Sequence, residues 1–176
     1  PAEPWLFDVY ARLGYVHPIP TCDERIATAD LPLAHADIRI APCTDARLFF
    51  AFDRLQRRRP CAILHTARDF NTIRQDCEAD GGSVLVALAD GHPVGFLFEA
   101  PEADGVVRVK ELLTDDLEAE AALLRAAATR HTATHLRIRR PPTPDRPAQP
   151  YGLAALLDAR LTTADISQLH MALMLD

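Results

Sequence analysis

The sequence predicts an α/β (α+β) domain with a mixed, mostly antiparallel sheet flanked by helices. Three observations carry that prediction. A run rich in β-formers, Ser83–Ala89, is followed by Asp90-Gly91, a dipeptide suited to a hairpin turn with positive φ, and then by a returning run, Pro93–Ala100. A second pair, Asp104-Gly105, leads into the alternating run Val106–Leu112, so the three runs read as an antiparallel meander. Segments with apolar residues at helical spacing stand on both sides of it.

In chain order, Pro4–Leu13 reads as a helix. Pro4 fits its first turn, Trp5, Leu6, Val9 and Leu13 share one face, and Gly14 ends it. Tyr15–His17 is a short extended piece, and residues 18–36, with Pro18, Pro20 and Pro32 and no period, read as a linker-like stretch. Asp37–Ala41 alternates as a strand. Thr44 and Asp45 offer an N-cap for a helix that runs to about Arg59, packs through Leu48, Phe49, Phe52 and Leu55, and stops at Pro60. Thr66, with Asp69 three residues on, starts another helix that reaches about Ala79, with Phe70, Ile73 and Cys77 as its stripe and Gly81-Gly82 as its close.

In the meander, Val84, Val86, Leu88, Phe96, Phe98, Val107 and Val109 are expected on the sheet's buried face, with no helix between Ser83 and Leu112. A long helix follows over Leu117–Arg130. Asp115 and Asp116 stand at its start and Arg130 and His131 at its end, matching the macrodipole. His135–Arg139 is a strand, the proline-rich 141–150 a loop, Tyr151–Arg160 a helix and Leu169–Leu175 the final strand.

A chain of 176 residues suffices for one domain and a remnant, and 48% hydrophobic with 25% charged residues is ordinary for a folded core. The net charge of -6 argues against nucleic-acid binding, which needs a basic field to release counterions. Of the 19 basic residues only Lys110 is a lysine, a compositional bias that says little about function. The one basic run, Arg57–Arg59, reads as a solvated last helical turn. Cys22, Cys43, Cys61 and Cys77 form no C-x-x-C pair, and none lies near a histidine at zinc spacing, so no metal site is expected. Free thiols, no signal-peptide pattern and no membrane-length apolar run suit a cytoplasmic protein. The histidines are scattered and read as structural or solvent-facing. The chain opens on Pro1 and enters an amphipathic helix almost at once, which reads as the back part of a longer protein.

The element order (strand, two helices, three-strand meander, helix, strand, helix, strand) resembles the GNAT N-acetyltransferase fold, an acyl-CoA N-acyltransferase fold, over residues 37–176. Local phrases sharpen the resemblance. "VYARLGY" at Val9–Tyr15 resembles the helix end that closes a catalytic GNAT domain, and "VALADGHPVGFLFEA" at Val86–Ala100 resembles the family's hairpin. "VVRVKELLTDDLEAEAALL" at Val106–Leu124, "YGLAALLDARL" at Tyr151–Leu161 and "HMALMLD" at His170–Asp176 resemble the second, GNAT-like lobe of two-lobed acetyltransferases of the enhanced-intracellular-survival type. The resemblance implies a tail of an upstream catalytic lobe over residues 1–20, a linker over 21–36 and a GNAT-like second lobe over 37–176. It implies acetyl transfer from acetyl-CoA to a primary amine on a small molecule or protein, in a homo-oligomer without nucleic-acid or membrane partners.

One departure bears on the cofactor. The family's catalytic lobe holds the pyrophosphate of acetyl-CoA on a Q/R-x-x-G-x-G/A loop at a helix start. The matching stretch here, Leu113–Leu117, has no glycine and carries Asp115 and Asp116. This chain is therefore expected to bind no cofactor and to be inactive alone, with acetyl-CoA held by the upstream lobe. In the resemblance, Tyr10 matches the tyrosine that protonates the departing thiolate; the alternative is a tyrosine that only packs. In three-domain relatives a chain-terminal carboxylate serves as general base; here the sequence ends at Asp176, directly after the last strand of the second lobe, and the role would have to shift to it. Glu99 and Glu111, on neighbouring strands, suit a cationic amine, or else point outward or pair with Arg108. The competing reading is a non-catalytic GNAT-like module for protein interaction or ligand sensing.

If residues 4–14 belong to another lobe, their four apolar side chains need a partner, because leaving them wet forgoes roughly 6–10 kcal/mol of burial. Deleting residues 1–20 is then expected to leave the domain from Asp37 onward folded with little loss of melting temperature, measured by thermal denaturation; global unfolding would move the boundary.

Overall fold

The computed structural model of the protein describes residues 15–33, 37–58, 64–140 and 165–173. Its elements are β1 (Tyr15–Ala27), β2 (Ile38–Pro42), α1 (Phe49–Gln56), α2 (Ala67–Ala79), β3 (Ser83–Ala89), β4 (His92–Pro101), β5 (Val106–Thr114), α3 (Leu117–Arg130), β6 (His135–Arg140) and β7 (Asp165–Leu173). The helices expected at Pro4–Leu13 and Tyr151–Arg160 lie outside the described residues. The chain divides into two compact units, one of Arg25–Ile138 and one of the segments that flank it.

In the central unit the strand order is β2-β3-β4-β5-β6. β2 to β5 are antiparallel neighbours, whereas β5 and β6 run parallel, with α3 as the crossover between them. The first hairpin turn is as the Asp-Gly pair requires, with Asp90 and Gly91 at φ 50 and 78. The second turn is of the same kind, with Asp104 and Gly105 left-handed at φ 60 and 69 and the Val106 N–H donating to the Ala103 carbonyl.

The helix ends follow from their capping residues. Thr66 and Asp69 make the expected capping box at the start of α2. Asp45 accepts from the Arg47 N–H at 2.9 Å, but it starts a 3-10 turn over Ala46–Leu48 rather than the α-helix, which begins at Phe49 and ends at Gln56. The arginines that follow are exposed and paired, Arg57 with Asp53 at 2.8 Å and Arg58 with Asp115 at 3.3 Å.

Both faces of the sheet are covered. One face lies under α1 and α2, where Phe52 meets the rings of Phe70 at 5.0 Å and of Phe96 and Phe98 at 5.6 Å, with Val84, Val86 and Leu113 around them and Leu88 at the margin. Such aromatic pairs add about 0.5–1.5 kcal/mol each beyond area burial. The other face lies under α3, which packs on β2, β3, β4 and β5. Val107 and Val109 are buried on this second face, not with the phenylalanines as the alternation had implied. The reason is a bulge. Phe98 pairs with Glu111 and Glu99 with Val109, so Lys110 is an extra residue and the strand changes sides there.

β1 is the largest difference from the sequence reading. Residues 21–36 were expected as linker, but β1 runs to Ala27 and a 3-10 turn follows over Thr28–Asp30. In the flanking unit β1 pairs antiparallel with β7 from Tyr15↔Leu173 to Asp23↔Asp165. A deletion of residues 1–20 therefore strips β7 of five of the eight paired positions in that ladder, while the central unit keeps all its own strands.

Replacing Phe52 by Ala is expected to cost about 3–5 kcal/mol, because its side chain is fully buried among four rings. Replacing Phe50, 77% exposed, is expected to change stability by no more than about 0.5 kcal/mol. Urea denaturation of the two variants checks the contrast.

Candidate functional site

The junction between β5 and α3 is built from two strands that approach closely. β4 bulges at Val94, since Ala87 pairs with Gly95 and Leu88 with Pro93. The Thr114 hydroxyl donates to the freed Val94 carbonyl at 2.8 Å, and the Asp116 N–H donates to the same hydroxyl oxygen at 3.1 Å. Gly95 makes room for this: a Cβ there would lie 2.9 Å from the Thr114 Cβ and 3.1 Å from the Leu123 side chain. α3 then begins with its own acid. The Asp116 carboxylate accepts from the N–H groups of Glu118 at 2.8 Å and Ala119 at 3.4 Å. Asp115, half exposed, faces Arg58 across 3.3 Å.

The structure does not bring the two meander carboxylates together. Glu111 shares Phe98's side of the sheet and Glu99 takes the other. Glu99 is 0% exposed. Ser83 Oγ donates to its Oε1 at 2.7 Å, His131 Nε2 lies 2.6 Å from its Oε2, and Arg130 Nε stands 3.9 Å from Oε1. The His131 contact is close but not aligned as a hydrogen bond, since neither atom satisfies the geometry of one. Glu99 therefore neither points outward nor pairs with Arg108, and no solvent reaches its carboxylate.

Glu111 is half-buried, with its Oε2 3.6 Å from His65 Nε2. The position of His65 is set by Gln56, itself buried. The Gln56 side-chain amide donates to the His65 carbonyl and its oxygen accepts from the His65 N–H, both at 2.9 Å, while the same amide also donates to Asp53 at 2.7 Å. The result is an imidazole and a carboxylate held opposite each other and partly open to solvent, an arrangement able to contact a cation or pass a proton.

Sequence reasoning missed His65, Gln56 and His131. Their partners are 9 to 46 residues away, and no local period marks any of them. Tyr10 and Asp176 lie outside the described residues. Cys43 and Cys77 are free and buried, and burial pushes both thiols up to about 11, far from a reactive thiolate. Among the described residues no cluster of His, Cys, Asp and Glu is arranged to hold a metal, and no helix is long and apolar enough to cross a membrane.

The fold that these elements compose is that of the GCN5-related N-acetyltransferases. A conserved Enterococcus faecalis V583 protein of unknown function, a probable N-acyltransferase, superposes with a TM-score of 0.61 at 14% identity, over 78% of this chain and 36% of that one. A GCN5-related N-acetyltransferase from Sphaerobacter thermophilus matches with a TM-score of 0.57 at 14% identity, over 94% of this chain and 52% of that one. Eis1 from Mycobacterium abscessus matches with a TM-score of 0.54 at 14% identity, over 82% of this chain and 39% of that one. The likeness is therefore one of fold, and this chain spans about a third to a half of these solved structures. No family model and no curated protein matches the chain in sequence.

Replacing Asp116 by Ala is expected to cost about 1 kcal/mol, the usual worth of an N-cap that holds two backbone donors. Chemical denaturation measures it, and an Asp116→Asn variant, which keeps an acceptor oxygen, is expected to retain most of the stability.

Proposed function

We propose that this chain is the second, GNAT-like lobe of a two-lobed N-acetyltransferase that moves acetyl from acetyl-CoA to a primary amine. The observation that carries the reading is the shared fold over 94% and 82% of this chain but only 52% and 39% of the Sphaerobacter thermophilus and Mycobacterium abscessus structures. On this reading residues 1–20 are the tail of the catalytic lobe, residues 37–176 shape the acceptor site and oligomer contacts, and the protein works in the cytoplasm as a homo-oligomer.

The cofactor belongs to the other lobe. A pyrophosphate at a helix start needs free N–H groups and a backbone without side chains in the way. Here the matching N–H groups already serve Asp116, and Asp115 adds a second carboxylate. These residues do not fit a polyanion. When bound elsewhere, acetyl-CoA supplies the acyl thioester. This lobe contributes the side chains near the acceptor, with Glu111 and His65 the pair placed to meet a cationic amine. Glu99, closed to solvent on the other face of the sheet, stands apart from that pair. Tyr10 is the proposed proton donor to the departing thiolate and Asp176 the proposed general base.

A second reading, a non-catalytic module for protein interaction or ligand sensing, is favoured by the same self-capped helix start. The two readings part on the gene. An upstream segment in the same reading frame that encodes a Q/R-x-x-G-x-G/A loop supports the enzyme, and a frame that begins here supports the module. Calorimetric titration of this chain with acetyl-CoA is expected to give no saturable heat. A stoichiometric micromolar complex would overturn the assignment of the cofactor to another lobe.

A further inference from the structure

The connection from α3 to β6 carries backbone strain that the acceptor reading does not use. α3 ends in a Schellman arrangement: the Thr132 N–H donates to the Thr129 carbonyl at 3.2 Å and the Ala133 N–H to the Ala128 carbonyl at 2.9 Å. The residue after such a cap takes the left-handed conformation and is usually glycine. Here it is Thr132, at φ 51. A β-branched residue at positive φ crowds its own backbone and persists only where the surroundings hold it there.

Two sets of contacts do so. On one side His131, the residue before Thr132, sets its ring against Glu99, with Nε2 2.6 Å from Oε2 and neither atom in an aligned hydrogen bond. Glu99 cannot yield, because Ser83 holds its other oxygen at 2.7 Å and it sits in the interior of the sheet. On the other side the Thr134 N–H donates to the Gly105 carbonyl at 2.8 Å, the Thr28 N–H to the Thr134 carbonyl at 2.9 Å, and the Thr28 hydroxyl to the Ala133 carbonyl at 3.0 Å. The strained residue is thus pinned between a buried side-chain contact and a backbone hydrogen-bond node.

We propose that His131 and Thr132 form a strained latch over Glu99. The imidazole–carboxylate contact keeps Thr132 left-handed. Its release lets the last turn of α3 and the start of β6 open as a local unit and uncovers the Glu99 carboxylate, while the meander stays folded. Arg130, half exposed and 3.9 Å from Glu99, is too far for a hydrogen bond and stays at the rim of the opening. The latch is a property of this chain's own residues and does not depend on the acetyltransferase reading.

Amide hydrogen exchange of the whole chain tests it. In His131→Ala, exchange across Thr132–His135 is expected to speed up about tenfold while the β3 and β4 amides keep their wild-type rates. Thr132→Gly removes the strain and is expected to slow exchange in the same window by about fivefold, and to reverse most of the acceleration when combined with His131→Ala. His131→Gln, which keeps a side-chain N–H donor, is expected to stay near wild type. The latch is overturned if Thr132→Gly speeds exchange, if His131→Ala leaves the window unchanged or accelerates β3 and β4 equally, or if His131→Gln behaves like His131→Ala. Should His131→Ala fail to fold, Thr132→Gly alone decides, because it leaves every side-chain contact of the latch in place.

Discussion

One extra residue in β5 decides what each face of the central sheet can be. Because Lys110 bulges, Val107 and Val109 lie under α3 while Glu111 and Leu113 lie under α1 and α2. A regular strand would have placed Val107, Val109, Glu111 and Leu113 on one side, so that Glu111 and the valines competed for the same cover. The bulge removes that conflict. It also gives Lys110 an exit toward the end of α2, where Asp80 takes its ammonium at 2.6 Å and is held below the usual carboxylate range by that hydrogen bond. The half-exposed Glu111 opposite His65 is a consequence of the same residue, since without the shift its carboxylate would point toward α3.

The parts of the fold that could be read from sequence are those whose cause is local. The boundaries of α2, β3 and α3 follow from Thr66 with Asp69, from Gly82 and Asp90-Gly91, and from Asp116 with His131, each within a few residues of the element it bounds. β1 was not legible because its cause is distant. Its partner β7 begins more than a hundred residues later, and Pro18 and Pro20 mask any alternation. The Lys110 bulge was equally invisible, since an insertion in a strand has no signature when valine, lysine and glutamate all suit a sheet edge or face. For the site, the acidic start of α3 was evident from Asp115 and Asp116. The partners of Glu99 and Glu111 were not, because a histidine three strands or one helix away carries no mark of its contact.

Glu99 shows what a long-range contact adds. A carboxylate buried at the C-terminal end of α3 faces the negative end of the helix dipole, which opposes it. The local sequence compensates with Arg130 and His131, the two cationic or proton-bearing groups in the last turn, and β3 adds the Ser83 hydroxyl. Removing one partner of such a group leaves a buried polar atom unpaired, which costs more than the contact itself contributes. The same histidine thus serves the helix end, the sheet interior and the strained turn that follows, and those three elements are coupled through it.

The opposite end of α3 obeys the same accounting with a different outcome. Every backbone donor at a helix start must find an acceptor. The Asp116 N–H goes to Thr114, those of Glu118 and Ala119 go to the Asp116 carboxylate, and that of Glu120 goes to the Asp116 carbonyl. A glycine-rich loop at this place would leave those donors pointing outward for a phosphate; a capping aspartate turns them inward and supplies the negative charge itself. Stability of the helix and affinity for a polyanion draw on the same N–H groups, so one start cannot maximise both. In this chain the choice falls on the cap.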